Sequence, residues 1–147
     1  MEPTILDKLL VIVELFQRDM ARAFKGTPLT QARVGVLWIL QTRGRSTQQA
    51  IAEALRVSAH NVSMLVDALE ANGYVRRMPH PSDRRAVMVE LTPLAADVMR
   101  NMQSDHARLS ASLLDAVPSA DVAALERGID AIVARLSGLV ASEAGPQ

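Results

Sequence analysis

Leu6, Leu9, Val13, Phe16, Met20 and Ala23 recur at alternating steps of three and four, which predicts an amphipathic helix with a narrow apolar seam near the start of the chain. The same alternation returns near the other end at Val122, Leu125, Ile129, Ile132, Leu136 and Leu139, after Pro118 and the capping candidate Ser119. Such stripes commonly pack on their own monomer. Here two long terminal helices flank a small middle, and only Phe16, Phe24, Trp38 and Tyr74 supply aromatic bulk. A helical homodimer interface is therefore expected.

Between these seams, "PLTQARVGVLWILQTRG" reads as a mostly apolar, central helix: Thr30 is its N-cap, Val34, Leu37 and Leu40 or Ile39 point inward, and Gly44 follows its end. In "STQQAIAEALRVSAHNVSMLVDALEANGY", Ser46 and Gln49 form an S-x-x-Q capping box opening a short helix through Leu55. Ser58 caps a second, longer helix whose buried stripe is Val62, Leu65, Val66 and Leu69, with Asn72-Gly73 as a left-handed exit. Two helices joined by so brief a turn make a helix-turn-helix. "YVRRM" and "AVMVEL" then read as a hairpin, with Val87, Val89 and Leu91 on one face. Thr92-Pro93 restarts a helix that Leu94, Val98, Met102, Leu109 and Leu113 carry to about Leu114, and "SEAGPQ" reads as a frayed tail. The predicted fold is mainly α: a winged helix-turn-helix of about six helices and a two-stranded β-wing. Residues 29–92 form that module, and residues 1–28 with 93–147 form a helical dimerisation region.

Composition narrows the class. With 147 residues, 49% of them hydrophobic, the chain fits one domain or a core with a small second module. It has no cysteine, which removes disulfides and zinc-thiolate sites and suits a reducing cytoplasm. Asp7, Lys8 and Glu14 interrupt the apolar N-terminus, so neither a signal peptide nor a membrane span is read there. Net charge is zero but uneven: residues 43–85 hold seven basic against four acidic groups, and residues 86–147 hold four against eight.

That basic excess surrounds "PHPSDRRAVMVELTP", a proline-flanked loop between the two predicted strands. In a winged helix the second helix of the helix-turn-helix can enter a major groove while the hairpin tip reaches the adjacent minor groove. Arginine suits that tip, since a narrow A/T-rich groove focuses negative potential and guanidinium sheds its hydration readily. Arg85 is the expected groove contact, beside Arg84, and Asp83 is expected to hold Arg84 or the loop backbone. A solvated surface turn would be the default for "DRR" alone; after a helix-turn-helix it becomes the lesser reading.

"LTQARVGVLWIL", "STQQAIAEALRVSAHNVSMLVDALEANGYVRR" and "PHPSDRRAVMVELTPLA" together resemble successive signatures of the MarR family over residues 29–95. The resemblance implies a homodimeric winged-helix regulator, joined through both terminal segments. It implies binding to palindromic double-stranded promoter DNA, most often as a repressor, and release by a small effector. It also places a wing contact on Arg85.

Departures from that pattern reshape the expected readout. Residues 58–72 contain no Lys or Arg, where such proteins commonly offer a cation near the positions of Met64 or Ala68, so Arg-to-guanine pairing from this helix is excluded. Base reading falls to Asn61 against adenine, to His60 against guanine or a phosphate, and to Ala59 or Met64 against thymine methyls; Ser63 lies on the same helix, and Met64 has partial burial as its other reading. Phosphate anchoring is expected from Ser46, Thr47 and Gln48 at a helix N-terminus, from Arg43 and Arg45 before it, and from Ser58, Arg76 or Arg77. Arg56 stands in the turn where glycine is frequent, at a cost if it adopts a positive φ.

The MarR resemblance further implies a ligand pocket where the first, second and fifth helices meet, with Phe16, Met20, Trp38, Met99 and Met102 as its candidate lining. Residues of these types at helical spacing are more often plain core. An apolar or aromatic effector is expected, any acid on it being met by Arg18, Arg22 or Arg33. No catalytic motif, cofactor loop or metal-ligand cluster is present; His60, His80 and His106 are scattered, and the chain is not expected to be an enzyme. The rival reading is a winged-helix dimer that has lost DNA binding and serves as a ligand- or protein-binding adaptor, motivated by the uncharged recognition helix.

Overall fold

The computed structural model describes residues 1–143. Its elements run α1 (Ile5–Phe24), α2 (Gln31–Arg43), β1 (Ser46–Thr47), α3 (Gln48–Leu55), α4 (Ala59–Ala71), β2 (Val75–Pro79), β3 (Val87–Leu91), α5 (Pro93–Asp115) and α6 (Val122–Glu143). They fall into two compact units, residues 1–101 and residues 102–147. The predicted mainly helical winged fold is present, with one strand more than the hairpin required.

In the first unit, short hydroxyl side chains start the helices. Thr4, Thr30 and Ser58 each accept the N–H of the residue three places on, which satisfies one otherwise orphaned donor. At α3 the cap is Thr47, accepting Ala50 N–H at 3.0 Å, and not Ser46. Pairing with β3 explains the shift: Ser46 lies opposite Val89 and Thr47 opposite Met88, so extended backbone persists one residue longer. Gln49, expected to complete a capping box, donates instead to Glu53 at 3.4 Å.

The core of this unit joins Val36, Leu37 and Leu40 of α2 to Ile51, Val62, Val66, Leu69, Val75, Val89, Ala95 and Met99. Val36, not Val34, fills the inner face of α2, and Ala95 with Met99 replaces the expected Leu94–Val98 row on α5. Leu94 is instead exposed. A Cβ built on Gly35 would lie 3.3 Å from Leu55 Cδ2, so a small residue there lets α2 and α3 pack closely. The antiparallel sheet has the order β1-β3-β2, with Val75 opposite Leu91 and Arg77 opposite Val89. Thr92 fastens the end of β3 to the exit of α4: its hydroxyl donates to Gly73 O at 2.6 Å and accepts Ala95 N–H at 3.3 Å, starting α5 as expected. Gly73, at φ +79, supplies the left-handed exit.

No residue of α1 is buried, and Ile5, Leu6, Leu10, Val11 and Phe16 are all exposed. In the second unit α6 likewise buries nothing, and Leu125, Ile129, Ile132, Val133 and Leu136 face solvent. Helix α6 begins at Val122, after a turn in which Asp121 N–H donates to Pro118 O, so Ser119 does not cap it. Ser142 and Glu143 of the expected frayed tail still belong to α6; residues 144–147 lie outside the described residues. Among the described residues no helix is long and apolar enough to cross a membrane.

Candidate nucleic-acid interface

The turn between α3 and α4 is made by Arg56 in a left-handed conformation, φ 56 and ψ 44, with its N–H donating to Glu53 O. A non-glycine residue there carries strain of about 1 kcal/mol. Burial of Val62, Val66 and Leu69 then turns His60, Asn61, Met64 and Asp67 outward as one stripe. Met64 is 57% exposed, which removes the alternative of partial burial. Ala59 is exposed at the first turn, while Ser58 spends its hydroxyl on the cap and Ser63 is half-buried.

Between β2 and β3 the loop is ordered by two acceptors. His80 Nδ1 accepts the N–H groups of Ser82 and Asp83, each at 3.1 Å. Asp83 Oδ1 accepts Arg85 N–H at 2.9 Å, so the carboxylate grips the loop backbone, one of its two expected roles. Arg84 and Arg85 are exposed, and among the described residues no side-chain partner is found for either guanidinium. A carboxylate that shapes the loop while leaving both cations open suits capture of an anion by that loop.

The other cations divide into open and engaged. Arg43 and Arg45 are exposed on either side of Gly44 at the α2–β1 junction, where Ser46 donates to Gly44 O. Arg76 pairs across the sheet with Glu90 at 2.5 Å. Arg77 is enclosed: Nε donates to Gln48 Oε1 at 2.8 Å, one terminal nitrogen meets Glu70, and the other meets Ser63 O and Asp67. Sequence reasoning passed over Asp67 and Glu70, and it read His80 only as one of three scattered histidines. The signal for the first two was their spacing of three residues on the polar face of α4, opposite a basic strand.

Of the five expected pocket residues, Met20 lines an open cleft of about 370 Å³ at the end of α1, together with Ala21, Phe24, Lys25 and Leu29. Met99 is fully buried core, Phe16 is 41% exposed, and Trp38 and Met102 are half-buried. The three arginines expected to meet an acid are engaged, Arg18 with Glu14, Arg22 with Asp19 and Arg33 with Pro28 O. Among the described residues no three or more His, Cys, Asp or Glu side chains are grouped so as to hold a metal ion.

Residues 29–87, which contain the helix-turn-helix and the loop arginines, match the MarR family. Over this segment the chain is similar to the MarR family. The uncharacterized HTH-type transcriptional regulator YfiV of Bacillus subtilis is 34% identical over 86 residues, 58% of this chain and 54% of YfiV. The HTH-type transcriptional repressor IacR of Pseudomonas putida is 25% identical over 84% of this chain and 74% of its own. The chain thus spans about half of one relative and three quarters of the other. Streptococcus pneumoniae FabT, crystallised in complex with DNA, superposes with a TM-score of 0.86 over 92% of this chain and 96% of its own, at 19% identity. At that identity the likeness establishes the MarR-type fold.

Proposed function

We propose that the protein is a sequence-specific, double-stranded-DNA-binding transcriptional regulator. It acts as a homodimer on a palindromic promoter site, most often as a repressor in the cytoplasm. The observation that carries this reading is the loop built by His80 and Asp83, which leaves the guanidinium groups of Arg84 and Arg85 open. In a winged helix such a loop tracks the minor groove while the outer stripe of α4 reads major-groove edges. That stripe offers an amide, an imidazole and a thioether but no cation, so specificity rests on Asn61, His60 and the apolar contact of Met64 with thymine methyls. Arg43, Arg45 and the start of α3 supply phosphate contacts. FabT in complex with DNA and the repressor IacR support the same assignment.

Homodimerisation is supported by the apolar rows that α1 and α6 each leave uncovered. Residues 1–28 and 93–147 are assigned to it. The cleft at Met20 and Phe24 is the assigned entry for a small apolar or aromatic effector, which would act by favouring a spacing of the recognition helices that no longer fits DNA.

Selection of bound DNA from a random duplex pool, in parallel with Arg85→Ala, tests this reading. An inverted repeat with half-sites about one helical turn apart is expected for the wild type, and its loss for the variant. Recovery of no enriched sequence, even after refolding to remove bound compounds, would instead indicate an adaptor without DNA affinity.

A further inference from the structure

Arg77 is the residue on which three elements of the first unit converge. It stands on β2, its Nε donates to Gln48 at the first position of α3, and its terminal nitrogens reach Ser63 O, Asp67 and Glu70 along α4. Its own backbone N–H donates to Glu70 Oε2 at 2.9 Å, so Glu70 grips residue 77 from both sides. The Asp67 contact is 2.6 Å, and the Arg77 side chain is 24% exposed. A guanidinium with Nε and both terminal nitrogens engaged has little capacity left for a phosphate. Its effect on α4 is nevertheless direct. Asp67 lies on the outer stripe with Asn61 and Met64, in a recognition helix that carries no cation of its own. Without Arg77, a carboxylate would face the nucleic acid uncompensated.

We infer that Arg77 is a positioning residue for DNA recognition: it neutralises the carboxylates of α4 and fixes the angle between that helix, the N-terminus of α3 and the wing strand, and it does not contact DNA. This rests on the DNA-binding reading above. Lysine cannot reproduce the function, because an ammonium is a single point charge and cannot reach Gln48, Ser63 O and both carboxylates together.

The test measures affinity for the selected duplex across a range of salt for the wild type, Arg77→Lys, Arg77→Ala, Asp67→Asn/Glu70→Gln, and the last combined with Arg77→Ala. Arg77→Lys is expected to weaken binding about tenfold although it keeps the charge. Arg77→Ala should cost about tenfold in the wild-type background and less than about threefold once Asp67 and Glu70 are neutral, the non-additivity of groups acting through one another. The salt slope should stay nearly constant. Full affinity in Arg77→Lys, or an equal loss from Arg77→Ala in both backgrounds with a slope shallower by about 0.9, would identify Arg77 as a phosphate contact and overturn the inference. Should the Arg77 variants not fold, Asp67→Asn alone decides. Weaker binding supports the clasp, whereas equal or stronger binding, as expected for a freed cation and a removed repulsion, overturns it. Absence of wild-type binding to any duplex is a separate failure, that of the DNA-binding reading, and this inference falls with it.

Discussion

His80 Nδ1 accepts the backbone N–H of Asp83 at 3.1 Å, and Asp83 in turn accepts that of Arg85 at 2.9 Å. The loop conformation that presents Arg85 is thus set by a side chain at its base. Replacing His80 by alanine removes two acceptor contacts on an exposed loop, each contributing about 1 kcal/mol at most. Global stability is expected to change by less than that, while affinity for the selected duplex falls about three- to tenfold as Arg85 loses its direction. Thermal unfolding and fluorescence anisotropy on one preparation check both halves.

A glutamate on the bare apolar face of α6 should separate protomers. Leu136 is 59% exposed, close to the 57% of Met64 on the outer stripe of α4. If the protein is the homodimer proposed above, Leu136→Glu is expected to convert it to a monomer in sedimentation velocity, and Met64→Glu to leave it a dimer with impaired binding to the selected duplex. If both variants sediment alike, α6 is not an interface.

Arg56 occupies the left-handed region at φ 56, where a β-carbon is penalised. Arg56→Gly relieves that penalty but adds unfolded-chain freedom, so a net gain of up to about 1 kcal/mol is expected in urea denaturation. A loss of stability would mean that the arginine side chain contributes packing that outweighs its backbone strain.

Acid should loosen the first turn of α1. Asp7 accepts from the hydroxyl and the N–H of Thr4, each at 2.7 Å, and these bonds hold its carboxyl below its ordinary pKa. Because the folded pKa is the lower one, this stabilisation is fully present above the ordinary aspartate value of the unfolded chain and is lost as pH falls through the folded value. An NMR titration of the Asp7 carboxyl is expected to return a depressed midpoint in the wild type and a less depressed one in Thr4→Ala, which loses the hydroxyl but keeps the backbone N–H.

Much of the fold was legible because each local signal agreed with the next. Thr30, Ser58 and Thr92 cap where a short hydroxyl precedes an apolar run, and Gly44 and Gly73 mark helix exits at positive φ. The expected failures came where long-range pairing overrode local chemistry. Ser46 lost its cap because Val89, remote in sequence, holds it in a strand, and a strand of two residues carries no periodicity. Val36 displaced Val34 on α2 because an apolar run such as "VGVLWIL" does not declare which side faces inward. The candidate interface was legible as a set of cations but not as a division of labour. That Arg84 and Arg85 stay open while Arg77 is enclosed depends on carboxylates brought together only by folding.

The pairing of β1 with β3 has a consequence for protein engineering. Because Ser46 and Thr47 lead directly into α3 and also form an outer strand of the sheet, the hairpin cannot be exchanged as an independent cassette. A hairpin grafted from a relative must match the backbone register at Met88 and Val89, or it will pull the start of α3 out of place. The smallest transplantable unit therefore begins at Ser46 and ends at Thr92, and chimaeras cut inside it should lose operator recognition even when every loop arginine is kept.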